Sequence, residues 1–501
     1  MSSLKKLAGQ TLWYGVSNIA GRMLTYLLTP YLTYMLVGPK GQLEFGRYSF
    51  IYLCLPVMNV LYTYGMETAF FRFTTTEDPR KLYRTQLTSM LLSTLLFTAL
   101  LLLFRGPLSQ FAEIPNHPEY IGWCAAIIGL DALSALPYAR LRKENRPRKY
   151  ALTKVAGILV FVGTIVGLFS LGGNIAKSNP GGSFAQFYEQ HWGLGFILFA
   201  NILQAIVTLL LLYKEIGDYK PLVDKELLTK VLAYGFPILI AGFAGTFNDS
   251  LNRVMFTKLY PDTSENSLRL MGIYSAAVRL SVMISLVIQA FRMSAEPFFF
   301  SIAKDKNAPD TYARVMKWFV IVLALMFLNV TLYLDVWKYF VGPEYRNALG
   351  LVPVLLLSNI FLGIYYNLTV WYKLTDRTQY GAYIMIVGAV VTLVFNWIFI
   401  PTWGYAACAW GTLLCYTVMM VLSYVLGQKY YPIPYETPKM LKYLVVMMAY
   451  YFIQVGVTYL LEPAWIHILT GTFLFLMYMV YIMFNEKQEL KGFPVIGKYF
   501  R

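Results

Sequence analysis

Arg22 lies near the middle of the first long apolar stretch of the chain, which runs from about Gln10 to Leu36. A cation at the centre of a spanning helix costs about 2.5–3.5 kcal/mol on insertion scales, so such residues usually face a water-filled cavity or a pathway. Arg279 sits at similar depth in a later stretch. Two guanidinium groups inside a membrane bundle make a cationic chamber, and their planar forks match the oxygens of phosphate or carboxylate. The expected cargo is therefore anionic. Around Arg22, residues Thr11, Asn18, Thr25, Thr29 and Thr33 recur at steps that place them on one helical face. A polar stripe of this length suits a lined cavity, although Thr and Asn also serve as packing glue between helices.

Further polar groups accompany these. Asn59, Thr63 and Glu67 are spaced i, i+4, i+8, and Glu67 falls near the cytoplasmic end of its span. Asn248, Asp249, Asn252 and Arg253 close the seventh stretch, where Asp249 and Arg253 are one turn apart and can pair locally. Arg292 and Glu296 have the same spacing in the eighth. Asp131 lies mid-span with no charged neighbour in sequence, and reads either as a counter-charge to Arg22 or as a protonation site for coupling.

The elements that must position these groups are membrane helices. The chain has 501 residues, 57% of them hydrophobic and only 14% charged. Soluble proteins carry about 25% charged residues. Fourteen stretches approach the roughly 20 apolar residues that a span requires, leaving short loops. The expected class is an all-α polytopic protein with two six-helix lobes (1–213 and 231–427), a polar linker (214–230) and two extra helices with a basic tail (428–501). The net charge of +16 does not point to nucleic acid. With a cytoplasmic N-terminus, cytoplasmic segments hold 29 of the 42 Lys and Arg residues and the opposite loops 8. That is a strong positive-inside bias, which places both termini in the cytoplasm and sets basic loops against anionic lipid headgroups.

An internal repeat supports the two lobes. Tyr14-Gly15 and Ala20-Gly21 return as Tyr234-Gly235 and Ala241-Gly242. Gly46-Arg47-Tyr48-Ser49 returns as Gly272-Ile273-Tyr274-Ser275. Six spans per block keep both copies in one orientation, as in transporters built from parallel repeats with the site between the halves. Pro30, Pro56, Pro137, Pro237 and Pro353 interrupt spans and can kink them.

Several chemistries lack their residues. Gly41 to Tyr48 brushes the phosphate-loop pattern but has no Lys-Ser/Thr end. The four cysteines lie inside apolar spans and read as core residues. His117, His191 and His467 are scattered near external loops, and no metal site or cofactor is expected. The longest external loop, 172–191, holds only Lys177 and Glu189 as charged residues, too few for the catalytic loop of a polytopic polymerase or glycosyltransferase.

The Arg22 span, Gly46-Arg47-Tyr48-Ser49, the segment Tyr64-Gly65-Met66-Glu67-Thr68-Ala69 with Arg72-Phe73, and Tyr234-Gly235-Phe236-Pro237 together resemble the bacterial oligosaccharide flippases of O-antigen and capsule assembly. These share a superfamily with lipid II flippases and multidrug and toxic compound extrusion transporters. The resemblance covers the whole chain. It implies a bacterial cytoplasmic membrane protein that translocates a polyprenyl-pyrophosphate-linked oligosaccharide by alternating access, alongside membrane lipids and possible polymerase or assembly partners. It adds Arg47 to Arg22 and Arg279 as cavity arginines. A cation antiporter of the same superfamily is the rival; it would be expected to show cavity carboxylates, and Asp131 is the residue to test.

Overall fold

The computed structural model describes Met23 and residues 26–217, 220–303, 305–375 and 377–490. These are helical throughout, with no β-strand among the described residues. The principal helices are α1 (Gly38–Thr63), α2 (Met66–Phe73), α3 (Pro79–Leu103), α4 (Glu119–Lys143), α5 (Pro147–Ser170), α6 (Ser183–His191), α7 (Leu194–Leu211), α8 (Lys225–Leu259), α9 (Ser264–Ser301), α10 (Ala308–Leu332), α11 (Val352–Leu368), α12 (Gln379–Trp403), α13 (Tyr405–Tyr430), α14 (Thr437–Leu460) and α15 (Ala464–Asn485). Among the described residues, twelve helices are long and apolar enough to cross a membrane. Of the fourteen expected spans, the first lies mostly outside the described residues. The seventh forms α8, which is not among the twelve.

The chain divides into two compact units, Met1–Ser275 and Ala276–Arg501. In the first unit, Tyr62, Met66, Phe70, Leu82, Leu136 and Val231 form a core between α1, α2, α3, α4 and α8. Helix starts follow the expected chemistry. The Asp78 carboxylate accepts from the Arg80 N–H just before Pro79, and the Asp224 carboxylate accepts from the Leu227 N–H at the head of α8. That backbone bond and a 2.5 Å pair with Lys81 hold the Asp224 carboxyl below its ordinary range. The outer faces carry bare leucines, such as Leu92, Leu95 and Leu96 on α3. In water such a surface would aggregate; against lipid it needs no cover.

In the second unit, Met316, Val320 and Leu368 centre a core against which residues of α13 and α14 pack. Lys317, read from sequence as part of a basic cytoplasmic segment, is instead fully buried inside α10. Its ammonium lies 2.9 Å from Glu436, 3.1 Å from Glu486 and 2.7 Å from Glu489. Lys439 adds a 2.7 Å pair with Glu486, and Trp318 Nε1 donates to Glu489. This network fixes the entry of α14 and the exit of α15 to α10.

The other cytoplasmic-type basic segment, 139–150, is also more internally engaged than the loop count implies. Glu215 is buried and accepts from Arg146 at 2.8 Å and Lys149 at 2.5 Å. Arg140 pairs with Glu144 at 2.7 Å. These cations tie separate elements of the protein together. The segment 172–191, expected from sequence to be an external loop, folds into the short helix Gly172–Ser178 and α6.

Candidate functional site

Five of the ten sequence-derived site residues fall where their side chains are not described. Arg22, Asn18 and Thr25 lie outside the described residues. Asn248 and Asp249 belong to α8, but their side chains also lie outside the description. Arg47, Asn59, Glu67, Asp131 and Arg279 can be placed.

Arg47 differs most from its expected setting. The sequence puts it at a membrane edge before the second span; the helix actually begins at Gly38, so Arg47 lies more than two turns inside α1. Its side chain is only 14% exposed, and Nη1 donates to Glu44 Oε1 at 2.6 Å. Glu44 is anchored in turn, because Oε2 accepts the Leu194 N–H at 3.0 Å. Gly193 makes this possible. It has φ +91°, and a Cβ there would lie 2.6 Å from Glu44 Cγ. Nε of Arg47 is buried and has no hydrogen-bond partner among the described residues. A buried donor left unpaired costs about 1–3 kcal/mol, so this guanidinium is held by one carboxylate and presents a second donor that needs an acceptor. Glu44 was missed by the sequence reading. Its spacing of three before Arg47 was the available signal, hidden because the segment was taken for a loop.

The polar stripe Asn59–Thr63–Glu67 does not survive as one face. Tyr64 (φ 30°) and Gly65 (φ +74°) break the helix, so Glu67 begins a new segment, α2. Asn59 is exposed on α1, and its carbonyl accepts from the Thr63 hydroxyl. Glu67 accepts from the guanidinium of Arg142, which also stacks over Phe71. Its counter-charge is therefore Arg142.

Asp131 is exposed midway along α4. Lys154 of α5 is the charge that acts on it, and Tyr52 and Tyr138 feel its field. Lys154 itself lies over the Tyr138 and Tyr150 rings at 5.7 and 5.2 Å. Nearby, Asn201 donates to the Tyr52 hydroxyl at 2.9 Å. Sequence offered Asp131 no charged neighbour; the fold supplies one from the next helix. Arg279, in the second unit, is half-buried and already engaged by a contact. It is fifteen residues into α9, about 22 Å along the axis at 1.5 Å per residue. Arg292 stacks on Tyr366 at 3.9 Å, an interaction not foreseen beside the expected Glu296 pairing.

The first unit also encloses an apolar cavity of about 260 Å³ lined by residues including Phe50, Cys54, Met58, Cys124 and Val254. The three buried cysteines Cys124, Cys408 and Cys415 and the half-buried Cys54 are all free thiols. His117 and His191, expected to be scattered, come together with Glu119.

The chain is a bundle of apolar helices tied by partly buried ion pairs, and its fold matches solved transporters. The chain is similar to the lipid II flippase MurJ in an inward closed conformation, with a TM-score of 0.69 at 14% identity, covering 94% of this chain and 99% of that one. It is also similar to an inward-facing multidrug resistance MATE family transporter of the MOP superfamily (TM-score 0.60, 13% identity, 84% and 94% covered). The Vibrio cholerae MATE transporter VcmN gives a TM-score of 0.55 at 13% identity, with 85% and 97% covered. No curated protein sequence matches. The chain thus has the flippase and MOP-superfamily transporter fold. Residues 7–303 match the polysaccharide biosynthesis protein family, and the chain belongs to that family.

Proposed function

We propose that this protein carries a polyprenyl-pyrophosphate-linked oligosaccharide from the cytoplasmic to the outer leaflet of a bacterial cytoplasmic membrane, acting as a carrier rather than an enzyme. The observation that carries this reading is Arg47, a largely buried guanidinium fixed by Glu44 whose Nε has no partner among the described residues, in a chain of the polysaccharide biosynthesis family. A pyrophosphate supplies acceptor oxygens suited to a guanidinium fork. Arg22 and Arg279 are the further anion-binding groups of this reading. Asn18, Thr25, Asn59 and Asn248 bind sugar hydroxyls, and the lipid tail stays in the bilayer.

In this reading two six-helix lobes, 1–213 and 231–427, alternate access around the cationic chamber. The basic loops and both termini are cytoplasmic. The last two spans border the lipid tail; their attachment to α10 through Lys317 gives them a fixed position for it. Removing residues after Gln428 while keeping full activity would exclude that role.

One observation favours a second reading. Asp131 is an accessible carboxylate at mid-span, which suits a cation antiporter; Asp249 and Glu67 are the other carboxylates to weigh, though Glu67 is occupied by Arg142. The deciding experiment is deletion of the gene followed by extraction of lipid-linked oligosaccharides. The flippase reading expects a complete glycolipid to accumulate on the cytoplasmic face. No accumulation, together with Asp131-dependent binding of cationic dyes, selects the antiporter.

A further inference from the structure

The chain has only three histidines, and two of them meet. His117 lies just ahead of α4, and Glu119 is the first residue of that helix; His191 closes α6, 74 residues further along the sequence from His117. One ligand atom from each of His117, Glu119 and His191 lies within 4.8 Å of the others. His117 Nδ1 and Glu119 Oε1 are 2.9 Å apart. His191 is buried and its Nδ1 is 3.1 Å from the Tyr120 hydroxyl. The His117 ring is stacked flat on Tyr120 at 4.7 Å, and Trp123 and Phe187 close round His191 at 4.9 and 5.1 Å. Each ring is therefore fixed in orientation by packing.

We infer that His117, Glu119 and His191 form a binding site for a divalent transition metal, with Zn²⁺ as the fitting ion. Two imidazoles and one carboxylate, with the fourth position left to water, are an established zinc donor set. The ion takes the place of the hydrogen bond between His117 and Glu119, with His117 ligating as a neutral imidazole that keeps its remaining proton on the other ring nitrogen. Tyr120 plays the outer-shell part of orienting a ligating histidine.

The position gives the metal a task. Gly195, one turn past His191, is packed so closely that a Cβ there would lie 2.6 Å from both His191 Cβ and the Tyr120 hydroxyl. The adjoining Leu194 N–H is the group that anchors Glu44, and Glu44 holds Arg47. A metal at this corner braces the α6–α7 turn against α4. It thereby fixes the backbone donor on which the Arg47 ion pair depends. The site is at the opposite end of α4 from the basic segment 140–149, about 36 Å away along the 25-residue helix.

The test uses the full chain in detergent, purified through a tag without histidine and dialysed against chelator. Zinc chloride titration should give one tight equivalent, Co²⁺ should give the visible absorption bands of a four- or five-coordinate site, and Zn²⁺ should raise the melting temperature. His117→Ala and Glu119→Gln, both at partly exposed positions, should each weaken Zn²⁺ binding at least tenfold and abolish the melting shift. Tyr120→Phe should weaken it about tenfold through loss of the orienting bond. Absence of a stoichiometric equivalent in the wild type overturns the proposal, as does unchanged binding in both ligand variants. Both readouts are independent of transport, so they distinguish failure of this site from failure of the flippase reading.

Discussion

Gly46 and Gly272 lie backbone to backbone: a Cβ on Gly46 would fall 1.9 Å from the Leu268 carbonyl oxygen, and one on Gly272 would fall 2.7 Å from the Gln42 carbonyl oxygen. These are the leading glycines of the two copies of the Gly-x-Tyr-Ser repeat, so the repeated motif meets itself where α1 crosses α9. A second pair of glycines does the same. Gly65 and Gly235, each preceded by tyrosine, approach so that a Cβ on Gly65 would lie 2.8 Å from the Gly235 carbonyl oxygen. Both are close crossings of small residues, the usual means by which membrane helices pack tightly.

Alanine at Gly46 or Gly272 must therefore push two helix backbones apart. Overpacking of this kind costs about 1–3 kcal/mol. Gly46→Ala and Gly272→Ala should reduce glycan export in a complemented deletion strain while the protein still reaches the membrane. Gly163→Ala and Gly167→Ala, where a Cβ would meet nothing within 4 Å, serve as controls and should be silent. Wild-type export from both crossing variants would falsify the requirement for close approach.

Arg47 and Glu44 form a partly buried pair in which each member is costly without the other. Breaking such a pair from one side costs about 3–5 kcal/mol. Glu44→Gln should lower thermal stability and export together. Arg47→Lys should retain the fold, because the pair with Glu44 survives, but lose most export, because an ammonium lacks the second fork donor. The comparison to make is melting temperature against export for the two variants. Equal loss of both in Arg47→Lys would reduce Arg47 to a structural role.

Asp131 and Lys154 act on each other across α4 and α5. If the pair is a unit, Asp131→Asn and Lys154→Met should each reduce export about tenfold, and the double variant should be no worse than the worse single one. Directly interacting residues show coupling of about 0.5–3 kcal/mol in such cycles. Strict additivity would separate the two residues and return Asp131 to the coupling role considered from sequence. Imposing pH or sodium gradients on proteoliposomes of the same variants then reads that role directly.

What the sequence made legible is local. Helical periodicity and apolar length point to the all-helical class, and the Gly-x-Tyr-Ser repeat is visible in sequence, whereas its crossing and that of Gly65 with Gly235 are not. The break at Tyr64–Gly65 was not read, because one glycine in a span is common and only its φ of +74° shows that the helix stops. The anchoring of Glu44 is not legible from spacing, because the backbone donor that anchors it, Leu194 N–H, lies 150 residues away. The partners of Lys317 lie 119 residues away at Glu436 and 172 at Glu489, and those of His117 across the α6 corner. No spacing rule reaches such distances; the fold alone brings these groups together.

The Lys317 network yields a pH prediction with a definite sign. Burial pushes the Glu489 carboxyl up, but the hydrogen bonds from Lys317 and Trp318 outweigh it and hold it below the ordinary value. A depressed carboxyl stabilises the folded state above its unfolded pKa, about 4.3 for Glu, and that contribution is lost as pH falls through the lower folded value. Docking of α14 and α15 on α10 should therefore be constant from pH 7 to 5 and weaken below about pH 4. Limited proteolysis of the 431–436 connection and the segment after Asn485, followed across this range, measures it. Lys317→Met leaves Glu436, Glu486 and Glu489 without the ammonium they share, and should open both sites to protease already at pH 7. Adding Glu486→Gln to that variant should restore part of the protection, since it removes the buried charge that Lys317 had neutralised. Loosening of the wild type near pH 6, or protection unaffected by Lys317→Met, would mean that apolar packing alone holds the last two helices.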